Sequence, residues 1–135
     1  MGALVRYEDW EQRLAEYVEL KRNEPFKWGA NDCALFALGA LKSVKADFPS
    51  VDLTFGYKTK IGAYGWLKKQ GAEDLWDFVD RYFDRVPIEM VQRGDLVAHI
   101  TEDKSVGIWL GAFYCTPSDD GLLFSDSAEF AWRIS

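Results

Sequence analysis

The chain has 135 residues, a length that fits one domain, residues 1–135, without room for a second. Its 48% apolar and 28% charged residues are typical of a folded globular protein and exclude intrinsic disorder. The net charge of −6 disfavours nucleic-acid binding, and one histidine with two distant cysteines disfavours a metal site, so we expect no nucleic acid, metal or cofactor.

Helical patterns fill the first part of the chain, about residues 7–86. Apolar residues such as Trp10 and Leu14 recur at helical spacing and alternate with charged groups, which predicts an amphipathic helix over residues 7–21. Two shorter helices are predicted later in this part, over residues 61–69 and 74–83.

A run without charged residues predicts the central helix of the domain. Asn31 and Asp32 form a capping pair, and residues 33–41, which follow, are all apolar or glycine. A helix that is apolar on every side must be buried. The sequence therefore predicts a buried helix with Cys33 in its first turn.

In the second part, about residues 88–135, apolar residues recur at a shorter spacing, which is typical of strands. Gly-, Pro- and Asp-containing turns separate five predicted strands of a small antiparallel meander, over residues 96–100, 106–110, 112–116, 122–124 and 130–134. Helices followed by strands predict an α+β fold, with the Cys33 helix packed on the sheet.

No segment is predicted to span a membrane. The longest run without charge, residues 105–118, has 14 residues, whereas a transmembrane helix needs about 20 apolar residues. The first residues lack the basic and apolar regions of a secretory signal, so we expect synthesis in the cytoplasm.

Cys33 allows two interpretations. The partial positive charge and unpaired N–H groups of a helix N-terminus lower the pKa of a thiol and favour a nucleophilic thiolate. Alternatively, Cys33 is a small apolar residue at the start of a core helix, since free cysteine is among the most buried residue types.

Several motifs resemble those of NlpC-type cysteine peptidases. Residues 26–36, FKWGANDCALF, resemble the start of the active-site helix in that family, and residues 93–97 and 106–111, RGDLV and VGIWLG, resemble its first two strands. Together with residues 131–134, AWRI, the order of motifs from about residue 14 onward resembles a group of small phage-encoded proteins of unassigned function.

This resemblance implies a papain-like fold and a cysteine nucleophile at Cys33. The family's general base, a histidine before the second strand, corresponds here to Ser105, and its third catalytic residue corresponds to Cys115 or Thr116. A serine cannot take a proton from a thiol near neutral pH. The one imidazole of the chain, His99, lies on the preceding strand and is the substitute base to consider.

Two functions follow from the resemblance. The first is a structural or assembly component of a phage tail tip or baseplate, made in the host cytoplasm and carried in the virion, with a degenerate peptidase domain. The second is a working thiol amidase or endopeptidase that cleaves peptidoglycan. A third hypothesis is a host-encoded binder of wall fragments. Ser105 in place of the base favours the first, and the 16% aromatic residues predict an apolar surface patch for tail partners.

Overall fold

The computed structural model describes residues 5–46, 56–101 and 103–134. Within these ranges the chain forms four α-helices and a six-stranded antiparallel sheet. This architecture confirms the predicted α+β class. The predicted domain, residues 1–135, also includes positions outside the described residues.

The helices begin near their predicted positions. They are α1 (Trp10–Lys21), α2 (Cys33–Val44), α3 (Lys60–Lys69) and α4 (Leu75–Asp80). α2 continues about one turn beyond the predicted end because Val44 is buried in the core. α4 is shorter than predicted: Asp74 caps its start by accepting a hydrogen bond from the Asp77 N–H, and the helix ends at Asp80, after which the Arg81 N–H donates to the carbonyl of Phe78 in a tighter turn. None of the helices within the described residues is long and apolar enough to cross a membrane.

The sheet contains one strand more than the sequence predicts. Its strands are β1 (Arg85–Pro87), β2 (Leu96–Ile100), β3 (Lys104–Trp109), β4 (Tyr114–Ser118), β5 (Gly121–Ser125) and β6 (Phe130–Trp132), and a short 3₁₀ turn (Ile88–Met90) follows β1. β1 lies mostly inside the predicted helical part. It was missed because three residues are too few for a strand period.

The predicted meander is wrong in its strand order, which is β1-β6-β2-β3-β4-β5. β6 lies between β1 and β2, where Ala131 is opposite both Val86 and Val97. β4 also continues through Pro117, so the predicted turn narrows to Asp119 and Asp120. The long-range pairing of β6 leaves no local signal in the sequence.

The two faces of the sheet contribute to different clusters of buried residues. Leu96 and Ala98 belong to the larger cluster, together with buried residues of α1 and α2. Val97 belongs to the smaller cluster, with Tyr114 and Ala131. This alternation along β2 agrees with the strand period of two, and it fixes which side chains can reach the start of α2.

α1 and α2 pack closely because α2 has small residues at the contact. A Cβ atom on Gly39 would lie 2.2 Å from the hydroxyl oxygen of Tyr17. That hydroxyl donates a hydrogen bond to the carbonyl of Phe36 at 2.8 Å. The contact holds α2 against α1 while the first turn of α2 faces the sheet.

Candidate active site

Asp32 forms the start of α2. Its side chain is 1% exposed and accepts hydrogen bonds from the Leu35 N–H at 2.9 Å, the Gly29 N–H at 3.0 Å and the Tyr57 hydroxyl at 2.7 Å. The capping prediction is therefore confirmed for Asp32. Asn31 is not the cap, because its amide instead donates to the carbonyls of the preceding loop.

Cys33 is the first residue of α2 and is 9% exposed, which confirms that it is largely buried in the first helical turn. Burial raises the pKa of its thiol above the ordinary value of 9.0. Hydrogen bonds from Ser105, Val106 and Ala34 act in the opposite direction, and the negative charge of Asp32 adds to the rise. The thiol is therefore protonated near neutral pH, and the environment is that of a core residue.

Ser105, the first position predicted from the resemblance after Cys33 itself, lies beside the thiol. Its hydroxyl and the N–H of Val106 are near enough to the sulfur to lower the pKa of the thiol, against the larger effect of burial. β4 pairs with β3 only at Ile108 and Trp109, so the earlier part of β3 has space for the first turn of α2. The sulfur lies beside the part of β3 that precedes its paired residues with β4.

Trp76 and Thr116 fix the backbone on either side of this contact. The indole N–H of Trp76 donates to the carbonyl of Ser105 at 2.7 Å. The Thr116 hydroxyl donates to the carbonyl of Val106 at 3.0 Å. Thr116, one of the two candidates for the third catalytic residue, therefore serves the main chain of β3.

Cys115, the other candidate, belongs to the same buried cluster as Cys33. It is fully buried, and both cysteines are free thiols. Burial raises the pKa of Cys115 to about 12. A thiol with that pKa is neutral near pH 7, so it cannot orient or charge a catalytic base there.

His99 lies with the other face of the sheet. Its Nδ1 atom is 2.7 Å from the hydroxyl of Tyr114, which belongs to the smaller cluster with Val97. Because this hydroxyl donates to the carbonyl of Ser127 at 3.1 Å, Nδ1 is the donor toward Tyr114. Burial lowers the pKa of His99 below its usual 6.5. His99 is therefore a neutral ring committed to Tyr114, and it is not among the groups that shift the Cys33 thiol.

Two tyrosines from outside the predicted motifs complete the surroundings of Cys33. Burial raises the pKa of both Tyr57 and Tyr64, and the tyrosines' own hydrogen bonds to Asp32 and Asp103 raise it further; an electrostatic interaction with Cys33 acts in the same direction. Tyr64, on α3, donates to Asp103 at 2.8 Å. No sequence motif indicated these residues, because α3 and the β2–β3 loop meet only in the folded chain.

The described residues contain no group of histidine, cysteine and carboxylate side chains suited to a metal ion. Among the described residues, the groups that shift the pKa of the Cys33 thiol are Ser105, Val106, Ala34 and Asp32, and none of them is an imidazole. A thiol that acts in amide cleavage needs a group that deprotonates it and later protonates the leaving amine.

Comparison with protein families gives one match. The sequence profile of a family described as a domain of unknown function, DUF6950, matches residues 5–134. Among curated proteins, none matches the chain.

Proposed function

The chain belongs to the DUF6950 family, and we propose that it is a structural or assembly protein of a bacteriophage tail tip or baseplate with a degenerate NlpC-type domain. The observation that carries the non-catalytic part is the position of the imidazole. His99 is bonded to Tyr114, whereas Ser105 stands beside the Cys33 thiol. The tail location rests on the resemblance of the sequence motifs.

The papain-like architecture is part of this proposal. A cysteine begins a buried helix, and its sulfur contacts the first half of the strand β3. The order of helix and strands agrees with the order of the NlpC-like motifs along the chain. Both features support an origin from a thiol peptidase whose base has been replaced by Ser105.

An exposed aromatic patch supports a role in assembly. Phe113 and Phe124 are 41% and 37% exposed, and their rings meet edge to face with centroids 5.6 Å apart. Phe124 belongs to the edge strand β5. Exposed aromatic side chains that contact each other at a sheet edge are typical of contacts with other chains.

One feature favours the second function, a working peptidoglycan amidase or endopeptidase. Cys33 is the first residue of a helix, and the N–H groups of Ala34 and Val106 and the hydroxyl of Ser105 all act to lower the pKa of its thiol. These donors do not outweigh burial, since the pKa of the thiol remains raised. The first function therefore accounts for more of the site.

Incubation with muropeptides, followed by detection of new amino groups, distinguishes the two functions. We expect no turnover by the wild type, and the same for Cys33→Ala and His99→Ala. Turnover by the wild type that is lost in both variants would overturn the proposal and make His99 the base. Ser105→His serves as the informative gain-of-function variant, because it returns an imidazole to the side of the thiol. We expect it to raise the rate at which Cys33 reacts with an alkylating agent at pH 7.

The assembly role has a separate test. A phage that lacks its own copy of the gene is complemented with the wild type or with Cys33→Ala, and the purified particles are examined by mass spectrometry and electron microscopy. We expect the protein in the particles and normal tails with either gene. Particles that are complete without the protein would exclude a structural role, whatever the result with muropeptides.

A further inference from the structure

A groove of about 630 Å³ lies beside the start of α1 and shares no lining residue with the Cys33 site. Three arginines, Arg6, Arg93 and Arg133, line it, together with the ring of Trp10 and a single carboxylate, Glu11. The whole chain carries a net charge of −6. A concentration of guanidinium groups in one concavity therefore runs against the overall charge.

Two motifs of the sequence meet at this groove. Asp95, at the start of β2, is fully buried and accepts hydrogen bonds from the Ile134 N–H at 2.9 Å and from Arg133 Nε at 3.2 Å. These bonds attach residues 133 and 134 to the turn formed by residues 93–95, the start of the RGDLV motif. They also hold Arg133 at the groove with Arg93, which belongs to the same turn as Asp95.

Arg6 is held there by a different set of contacts. Its guanidinium stacks on Trp10, 4.3 Å from the ring centroid, and donates to the carbonyl of Ile134. Gly94 makes room for it: with φ +93°, a Cβ at this position would lie 2.9 Å from Arg6 Nη1. Burial lowers the pKa of Arg6, and the nearby charge of Arg133 lowers it further, although Asp95 opposes the change. Like charges are thus kept close together by the fold.

Most donors of these arginines make no hydrogen bond within the part of the chain that the structure describes. Each guanidinium has five N–H donors. Arg93 makes one side-chain bond, to Glu11 at 3.3 Å, and both of these side chains are exposed. Arg6 uses only backbone carbonyls, and Arg133 uses Asp95 and the Met90 carbonyl. The groove can therefore accept an anion without breaking the bonds that hold the chain together.

A second groove of about 290 Å³ adjoins the first at Arg93, which lines both. Its lining includes Leu110, Phe113 and Phe124, together with the ion pair of Glu19 and Arg22. The two grooves therefore place three arginines on one side of Arg93, and apolar side chains beside a neutral ion pair on the other.

From this arrangement we propose that the joined grooves bind an extended peptide segment of a partner protein, with a carboxylate at the arginines and apolar side chains against Phe113 and Phe124. Guanidinium groups bind carboxylates through paired hydrogen bonds. A peptide with one carboxylate followed by apolar residues matches three arginines beside Phe113 and Phe124, whereas the carboxylates of Glu11 and Glu19 at the two grooves disfavour a polyanion. The proposal goes beyond the proposed function, and it holds whether or not the partner is a tail protein.

The test uses a blocked pentapeptide with one glutamate followed by leucine and phenylalanine, and a matched peptide with glutamine in place of glutamate. Binding is followed through the Nε–H signals of arginines in ¹⁵N-labelled protein. We expect the signals of Arg6, Arg93 and Arg133 to move with the glutamate peptide, and its affinity to exceed that of the glutamine peptide about tenfold. Equal affinities would overturn the proposal.

Arg93→Gln is the decisive variant because Arg93 is exposed and lies outside the bonds to Asp95. We expect it to weaken binding about tenfold. Arg13→Gln is the matched control, since it also removes one positive charge, but from a position on α1 that lines neither groove. Equal losses in the two variants would indicate attraction by net charge and reject the groove. If sodium acetate binds as tightly as the glutamate peptide, the apolar residues of the peptide add nothing, and the proposal of a peptide site would be rejected in favour of a site for a small anion.

Discussion

Replacing Asp32 by alanine tests whether the start of α2 is held by buried hydrogen bonds. The carboxylate is 1% exposed and accepts from Leu35, Gly29 and Tyr57. Loss of an N-cap alone costs about 1 kcal/mol, and each buried donor left without a partner adds about 1–3 kcal/mol. Because the Gly29 backbone is accessible to water, we expect a total of about 2–4 kcal/mol in the free energy of unfolding.

Asp74→Ala is the matched control for this measurement. Asp74 also caps a helix, with one bond to the Asp77 N–H at 2.8 Å, but its side chain is 20% exposed and its second partner is the exposed Lys104. Its loss should therefore cost only the cap, about 1 kcal/mol. Urea unfolding followed by circular dichroism gives both values. An Asp32→Ala variant that is no less stable than Asp74→Ala would refute the reasoning.

Asp32→Asn separates charge from hydrogen bonding at the same position. The charge of Asp32 raises the pKa of the Cys33 thiol, so its removal should lower that pKa. The rate of alkylation of Cys33, measured against pH, should then rise at a lower pH than in the wild type. An unchanged profile would mean that burial alone controls the thiol.

Two further predictions concern Cys115 and the contact between α3 and the β2–β3 loop. Burial raises the pKa of Cys115 from 9.0 to about 12, so its neutral form stabilises the fold below pH 9 and this contribution is lost as the pH rises toward 12. The free energy of unfolding, measured by urea titration at each pH, should therefore fall less between pH 9 and 12 in Cys115→Ala than in the wild type. An equal fall in both proteins would contradict this reasoning. Asp103 accepts from Tyr64 and pairs with Lys60 at 3.1 Å, so Asp103→Ala should loosen α3 and increase the rate of Cys33 alkylation, whereas an unchanged rate would mean that α3 does not limit access to the thiol.

Local signals predicted the elements around Cys33 well. The capping aspartate and the charge-free run placed the start of α2 correctly, because both act within one helical turn. The alternation along β2 separated His99 from Ala98 correctly. Which of these faces meets α2 depends on how the sheet packs, and no local pattern contains that information.

Long-range pairing was the part that the sequence did not reveal. β6 joins β1 and β2 through residues more than thirty positions away in the chain, and β1 is only three residues long. The same limit applies to Tyr64 and Asp103, which meet across 39 positions. Asp103 could be predicted as a loop residue, but its pairing with Tyr64 requires the fold.

The contacts of Cys33 explain a cysteine at this position without catalysis. The thiol lies between the first turn of α2 and the start of β3, where the Ser105 hydroxyl and the Val106 N–H both act to lower its pKa. A larger side chain would not fit a position that is 9% exposed, and an alanine would leave a cavity there. A helix start with nearby donors is typical of a nucleophile, but it equally suits a sulfur that packs between α2 and β3. Under the proposed function, what separates a structural thiol from a catalytic one is the identity of residue 105, since an imidazole could exchange a proton with the sulfur and the hydroxyl of Ser105 cannot near neutral pH.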